Sequence, residues 1–283
     1  MLTGTMIDLN VGALYNIKGK VALVTGGGSG IGTMIAAAFV QNGAKVYIAS
    51  RKEKQLKEVS DALNRAGPGS CHYFVADLSS KAGCDALANA IREKENKIHI
   101  LVNNSGATWG APFDNVPEKE GWDRVMNLNV KGIFYLTSAL TPLLEKDANN
   151  RDPASVINIS SMASVVAVTE DSALASSGHG LWSYHTSKAA VNHLTRQLAV
   201  TLAKKNIHVN AILPGVFPSK MTAFGFSRKD NDMAGGQPTG RVGTTEDMAG
   251  LALFLASPAS AHITGVCIPI DGGATVARIK AAM

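Results

Sequence analysis

Tyr184 and Lys188 stand four residues apart, a spacing that sets a phenol and an ammonium on one face of a helix. A tyrosine hydroxyl ordinarily gives up its proton near pH ~10, and a neighbouring positive charge favours the phenolate, which brings proton transfer toward working pH. Such a pair is suited to general acid/base work. A plain amphipathic helix with a half-buried tyrosine and a solvated lysine has the same spacing, so the pair alone decides nothing. The elements that would have to position it start near the N-terminus. Lys20 to Thr25 is a short apolar run suited to a buried parallel strand, and Gly26-Gly27-Gly28-Ser29-Gly30-Ile31-Gly32 follows. Thr33 to Phe39, with Ala36, Ala37 and Ala38, then reads as a helix. In a strand–glycine turn–helix unit the backbone can approach a pyrophosphate closely, while free N–H groups and the positive end of the helix dipole hold its charge.

Further motifs follow in order: Asn103 to Gly106 (N-N-S-G), N-V-K-G-I-F from Asn129, Ile157 to Ser161, Y-H-T-S-K from Tyr184 to Lys188, Leu213 to Gly215, and Ile270 to Gly273. With the glycine turn they make the chain resemble the short-chain dehydrogenases/reductases from Gly19 to Gly273. Within that family the pattern is similar to the 3-oxoacyl reductase branch, including the rhamnolipid-type ketoreductases. Ser105 stands where the family usually has alanine, and the stretch between Ser161 and Tyr184 is roughly ten residues longer than usual, a length that points to a functional loop.

The resemblance implies roles. Tyr184 would be the general acid/base, Lys188 the residue that binds the nicotinamide ribose and lowers the tyrosine pKa, Ser161 the hydroxyl that holds the substrate oxygen, and Asn129 the fourth member, supporting a water that leads to Lys188. Gly26, Ser29, Gly30, Ile31, Gly32 and Asn104 would hold the cofactor, with Asp77 and Leu78 near the adenine. Pro214, Gly215, Val216 and Ser219 would contact the carboxamide. Asp77 would equally serve as an N-cap for a helix beginning near Ser79.

Cofactor choice turns on the end of the second strand. Ser50 occupies the position where an acidic residue would take the adenosine 2′-hydroxyl, Arg51 and Lys52 follow, and no acid comes before Glu53. A guanidinium there suits a 2′-phosphate, so the expected cofactor is NADPH. A solvated basic turn at a helix start is the plainer account.

At 283 residues and 46% hydrophobic content the chain can bury one large core, and residues 1–283 are expected to form a single catalytic domain. Apolar runs at Val21 to Val24, Lys45 to Ala49, Cys71 to Val75, Ile98 to Val102, Ser155 to Ile159, His208 to Ile212 and Cys267 to Ile270 alternate with helical segments. That alternation predicts an α/β fold, a doubly wound parallel sheet of Rossmann type with helices on both faces. Residues 1–16 read as a surface arm. The net charge of +5 is scattered rather than clustered with aromatics, which argues against nucleic-acid binding. Three widely spaced cysteines make a disulfide framework or a metal site unexpected. No apolar run approaches ~18 residues and no secretory pattern is visible, so the expectation is a cytoplasmic protein without a membrane partner.

Trp109, Trp182 and Phe217 are candidates for an apolar substrate pocket, and 222–240 for a lid over it. Packing of loops or of a subunit contact is the other use for such aromatics. His179, His185 and Asp171 show no metal or triad spacing, and His185, adjacent to Tyr184, should point off the catalytic face. Apolar residues on more than one side of the helices after Asn129 and around Tyr184 suit a homo-oligomer, as the family's common tetramers imply. The leading expectation is NADPH-dependent reduction of a small-molecule ketone, 3-oxoacyl or otherwise bulky and apolar. The alternatives are an NAD(P)-dependent polyol or sugar alcohol dehydrogenase, and a non-catalytic nucleotide-binding scaffold.

Overall fold

A computed structural model describes residues 8–170, 174–227 and 233–281. Its strands are β1 (Val21–Thr25), β2 (Lys45–Ser50), β3 (Ser70–Val75), β4 (Ile100–Asn103), β5 (Ala154–Ile159), β6 (Ile207–Pro214) and β7 (Cys267–Ile270). They form one parallel sheet in the order β3-β2-β1-β4-β5-β6-β7. Side chains alternate across a strand, so a sheet covered on both faces needs apolar residues at successive positions. In β1, Ala22 and Val24 enter one core and Leu23 the other. The helices Gly30–Gln41, Glu53–Ala66 and Thr245–Ala256 cover the first face, and Lys81–Arg92, Gly132–Glu145 and Trp182–Leu202 the second. This is the doubly wound arrangement the sequence predicts. The helix after the glycine turn starts at Gly30 rather than Thr33, because Gly30 and Gly32 are themselves helical.

Chain order reverses between β1 and β4, and loops diverging from the carboxyl ends of these strands leave a crevice. Thr25 ties the two loops together. Its hydroxyl accepts from the Asn104 and Ser105 N–H groups, both at 3.0 Å, and the Asn104 Nδ2 donates to the Thr25 carbonyl at 2.9 Å. Deeper in, a buried polar ladder links both flanking helices to the sheet. Asn103 Nδ2 donates to Thr137 Oγ1 and Asn158 Oδ1, and Asn158 Nδ2 donates to Thr195 Oγ1. Buried amides satisfied in this way fix how helix and strand meet.

Of the expected arm, residues 1–7 lie outside the described residues. Asn10 caps a short helix, Val11–Leu14, and the Tyr15 ring stands 6.3 Å from that of Phe254 on the Thr245–Ala256 helix. Among the described residues no helix is long and apolar enough to cross a membrane, and no group of three or more His, Cys, Asp or Glu is placed to hold a metal.

Candidate active site

β5 ends by delivering two adjacent serines to opposite tasks. Ser160 Oγ donates to the Lys188 carbonyl at 3.0 Å, fastening the strand to the long helix. Ser161 then caps the turn Met162–Ser164, its hydroxyl accepting from the Ala163 N–H at 3.1 Å, and lines the same cavity as Tyr184. That division is why Ser161, and not Ser160, meets the tyrosine. Tyr184 and Lys188 lie one turn apart near the start of the Trp182–Leu202 helix, and both are buried. The Lys188 Nζ donates to the Ile159 carbonyl at 2.7 Å and stands 5.7 Å from the centre of the Tyr184 ring.

Burial sets the proton affinities here. It pushes the Tyr184 phenol above its ordinary value, against a smaller downward pull from the Ser161 hydrogen bond. It lowers the Lys188 ammonium to about 8. The expected lowering of the tyrosine by Lys188 is therefore not what this arrangement produces. One of the three ammonium N–H groups goes to the Ile159 carbonyl, and burial is the largest influence on the phenol.

Asn129 lies in the π-helical stretch Asn127–Lys131, a wider helical turn that turns a side chain inward. Its Oδ1 accepts from the Ala107 N–H at 2.8 Å, and its Nδ2 donates to the Ala107 carbonyl and to Ser187 Oγ, both at 2.9 Å. Ser187 in turn donates to the Tyr184 carbonyl at 2.7 Å. Asn129 thus clamps the loop after β4 to the catalytic helix. A Cβ on Gly106 would lie 3.4 Å from the Asn129 Oδ1 and 3.7 Å from the Lys188 Nζ, so loop, clamp and lysine are in near contact.

One cavity of about 1190 Å³ joins these groups to the glycine turn. Ser161, Tyr184 and Lys188 line one part of it; Gly26, Ser29, Gly30, Ile31 and Asn104 line another; Pro214, Gly215, Val216, Phe217 and Ser219 close the side between. The turn is built to admit backbone and nothing larger. Gly26 has φ +66°, and a Cβ there would stand 2.6 Å from the Asn104 Nδ2, while one on Gly30, at φ +55°, would meet Ser219 Cβ at 2.9 Å. Gly32 packs behind, where a Cβ would be 2.4 Å from the Gly26 carbonyl oxygen. The Gly30–Gln41 helix starts without a side-chain cap and with no acid in its first turn, so its free N–H groups face the cavity unopposed. Such a cradle fits a pyrophosphate.

Ser50, Arg51, Lys52, Asp77 and Leu78 sit beyond the cavity wall, at the ends of β2 and β3. A Cβ on Gly28 would be 3.3 Å from the Ser50 Oγ, which places Ser50 beside the glycine turn. Arg51 is exposed. Burial pushes the Asp77 carboxyl up, but hydrogen bonds from Ser79 and the charge of Arg51 outweigh it and hold the group below its usual range. Asp77 is not the helix N-cap. Ser80 takes that place, accepting from the Gly83 N–H.

Of the three expected pocket aromatics, Phe217 lines the cavity and Trp109 and Trp182 do not. Trp182 turns away, its Nε1 donating to the Ala111 carbonyl at 3.2 Å and its ring edge-on to Phe113 at 5.2 Å. Trp109 packs beside Gly121, where an added Cβ would lie 3.2 Å from its ring. The apolar wall is instead made by Met162, Val165, Val166, Val168 and Met221, small signals in a sequence because none is aromatic. His185 departs from expectation: it lines the cavity beside Tyr184 rather than pointing away, because the loop after Ser161 folds over the first turn of the helix. His179 is half-buried and bonded to the Ser177 carbonyl, and Asp171 lies outside the described residues.

A family model described as enoyl-(acyl carrier protein) reductase matches residues 26–275. The rhamnolipids biosynthesis 3-oxoacyl-[acyl-carrier-protein] reductase of Pseudomonas aeruginosa is 42% identical over 262 residues, covering 92% of this chain and 97% of that protein. The chain belongs to the short-chain dehydrogenase/reductase family. Members of known structure superpose closely on it. A Pseudomonas aeruginosa RhlG/NADP active-site complex gives a TM-score of 0.85 at 40% identity, covering 93% of this chain and 98% of that one. A 3-ketoacyl-(acyl-carrier-protein) reductase from Brucella melitensis complexed with NADH gives 0.79 at 31% identity, covering 92% and 99%. As a member of this family the chain is an oxidoreductase.

Proposed function

We propose that the chain uses NADPH to reduce a ketone to a secondary alcohol, with Tyr184 as the proton donor. The observation that carries this reading is the convergence of Ser161, Tyr184 and Lys188 in the same cavity as an uncapped, glycine-lined helix N-terminus. Bound there, the reduced nicotinamide supplies hydride. The Ser161 and Tyr184 hydroxyls, lining the same cavity, are placed to grip one carbonyl oxygen, so that charge developing on it is met by two donors already in position. Tyr184, held neutral by burial, gives up its proton as that charge forms. Lys188 is anchored one helical turn away to take ribose hydroxyls and to stabilise the resulting phenolate. Arg51, with no acid beside it before Glu53, supports the 2′-phosphorylated cofactor.

The wall of Val165, Val168 and Met221 supports an apolar substrate, and 3-oxoacyl compounds are the class turned over by the relatives named above. A polyol would leave its hydroxyls against that wall without partners, which disfavours a sugar alcohol. The intact catalytic set disfavours a scaffold. Residues 222–240 belong to this proposal as a lid: Thr222 is tied to the Phe217 carbonyl and Thr239 to that of Gly272, and Met233 reaches the cavity, with 228–232 outside the described residues. We also propose one catalytic domain, placed in the cytoplasm, and a homotetramer. Ile133, Leu136, Leu140, Val191 and Leu198 are buried, but Phe134 remains 45% exposed and supports a second apolar face.

The test is a panel of ketones and alcohols assayed with NADPH and NADH for the wild type and Tyr184→Phe. Apolar ketones with NADPH should be turned over best, and the variant should lose ~10²-fold or more of the rate. A variant keeping more than about a tenth of the rate would require another acid. Preference for polyols with NAD would overturn the reading.

A further inference from the structure

The lengthened connection after Ser161 forms the apolar side of the cavity through Val165, Val166, Ala167 and Val168, and Val168 is 73% exposed. Apolar side chains held this open on a loop wall need something to fix where they stand. At one end of the stretch the Val165 N–H donates to the Met162 carbonyl at 3.1 Å. At the other the Leu181 N–H donates to the Thr169 hydroxyl at 2.8 Å. Between these anchors, His185 Nδ1 lies 3.1 Å from the Val166 carbonyl oxygen. A carbonyl only accepts, so Nδ1 carries the hydrogen and donates. His185 directly follows Tyr184, their rings stand 6.3 Å apart at 70°, and both belong to a helix packed into the core by Leu198, Ala199 and Leu202.

We propose that His185 is a positioning residue for substrate specificity. By holding the Val166 carbonyl it sets the Val165–Val168 wall at a defined distance from the Tyr184 hydroxyl, and so decides how large an apolar substituent can lie beside the carbonyl being reduced. The substrates affected are ketones with a long or bulky apolar arm; those with a short arm do not reach the wall. This inference rests on the ketone-reductase reading for its kinetic consequence, while the hydrogen bond itself does not.

Two full-length variants separate the possibilities. His185→Leu keeps apolar bulk and has no donor, whereas His185→Gln can offer an amide N–H to the same carbonyl. With NADPH, kcat/KM is measured for ethyl acetoacetate and for ethyl 3-oxodecanoate. The long-to-short ratio should fall about five- to tenfold in His185→Leu, the scale of one lost hydrogen bond, and return to within about twofold of wild type in His185→Gln. Amide hydrogen exchange on the same proteins without substrate should rise over 165–168 in His185→Leu, stay near wild type in His185→Gln, and be unchanged over 190–202 in both. An unchanged ratio, with or without faster exchange, would overturn the specificity role, as would a glutamine variant that behaves like leucine. If the wild type turned over neither ester, the ketone-reductase reading would fail on its own. Unchanged exchange in His185→Leu would independently remove the latch.

Discussion

Removing the Asn129 side chain should destabilise the protein and disable the site together, and the size of the effect can be worked from its bonds. Asn129 is fully buried and gives the Ala107 backbone both of its side-chain partners, at 2.8 and 2.9 Å. In Asn129→Ala the Ala107 N–H and carbonyl lose them in a place that is 9% exposed. Each buried backbone group left unpaired costs about 1–3 kcal/mol, and some relaxation is expected, so the net loss should be about 2–4 kcal/mol. Ser187 contributes little to that sum because it keeps its own bond to the Tyr184 carbonyl. Turnover should fall at least about tenfold as well, since misplacing reacting groups by an ångström is expensive and the released loop runs past Lys188. Denaturant or thermal unfolding of wild type, Asn129→Ala, Ser187→Ala and the double variant would measure it, and the pair should be non-additive by about 0.5–1.5 kcal/mol through their shared 2.9 Å bond. Stability of Asn129→Ala within about 0.5 kcal/mol of wild type would refute the clamp, because no surface-like substitution of a working clamp could be that mild.

Arg51→Ala should weaken NADPH binding about tenfold to a hundredfold and leave NADH nearly unchanged, the expected loss of one charged hydrogen-bonded pair; equal losses in a fluorescence titration would remove the basis for 2′-phosphate selection. Burial, with smaller contributions from Lys97 and Lys20, lowers His99 to about 4, and its neutral Nδ1 accepts from the Val21 N–H at 3.0 Å between β1 and β4. The unfolded chain therefore binds this proton more readily, so the stability involved is present above about pH 6.5 and is lost as pH falls toward 4, by roughly 2–3 kcal/mol; His99→Gln should flatten unfolding free energy across that window, and an unchanged slope would exclude His99 as its source. Trp182→Ala should alter KM for small and bulky ketones alike and lower stability by about 1–3 kcal/mol, because Trp182 packs on Phe113 and the Ala111 carbonyl outside the cavity; a change confined to bulky ketones would put it back in the specificity wall.

The apolar runs from Val21 to Ile270 marked all seven strands in the sequence, with ends displaced by no more than two residues. Tyr184 and Lys188 were legible for the same reason as the glycine turn: spacing of three to seven residues determines geometry within one helix or turn, whatever lies beyond it. The partners of those residues were not legible. Lys188 meets the carbonyl of Ile159, Asn129 the backbone of Ala107, and His185 the carbonyl of Val166, each on a different segment of chain. His185 shows the limit most plainly, since helix period alone put it off the catalytic face, whereas the folded loop makes it part of the cavity wall beside Tyr184. The Tyr184 pKa is a like case, because sequence supplies the neighbouring residues but not the burial that pushes the phenol up. Local sequence determines which side chains share a face; which backbone groups and how little water that face meets is decided by the packing of segments far apart in the chain, and proton affinity and specificity follow from that packing.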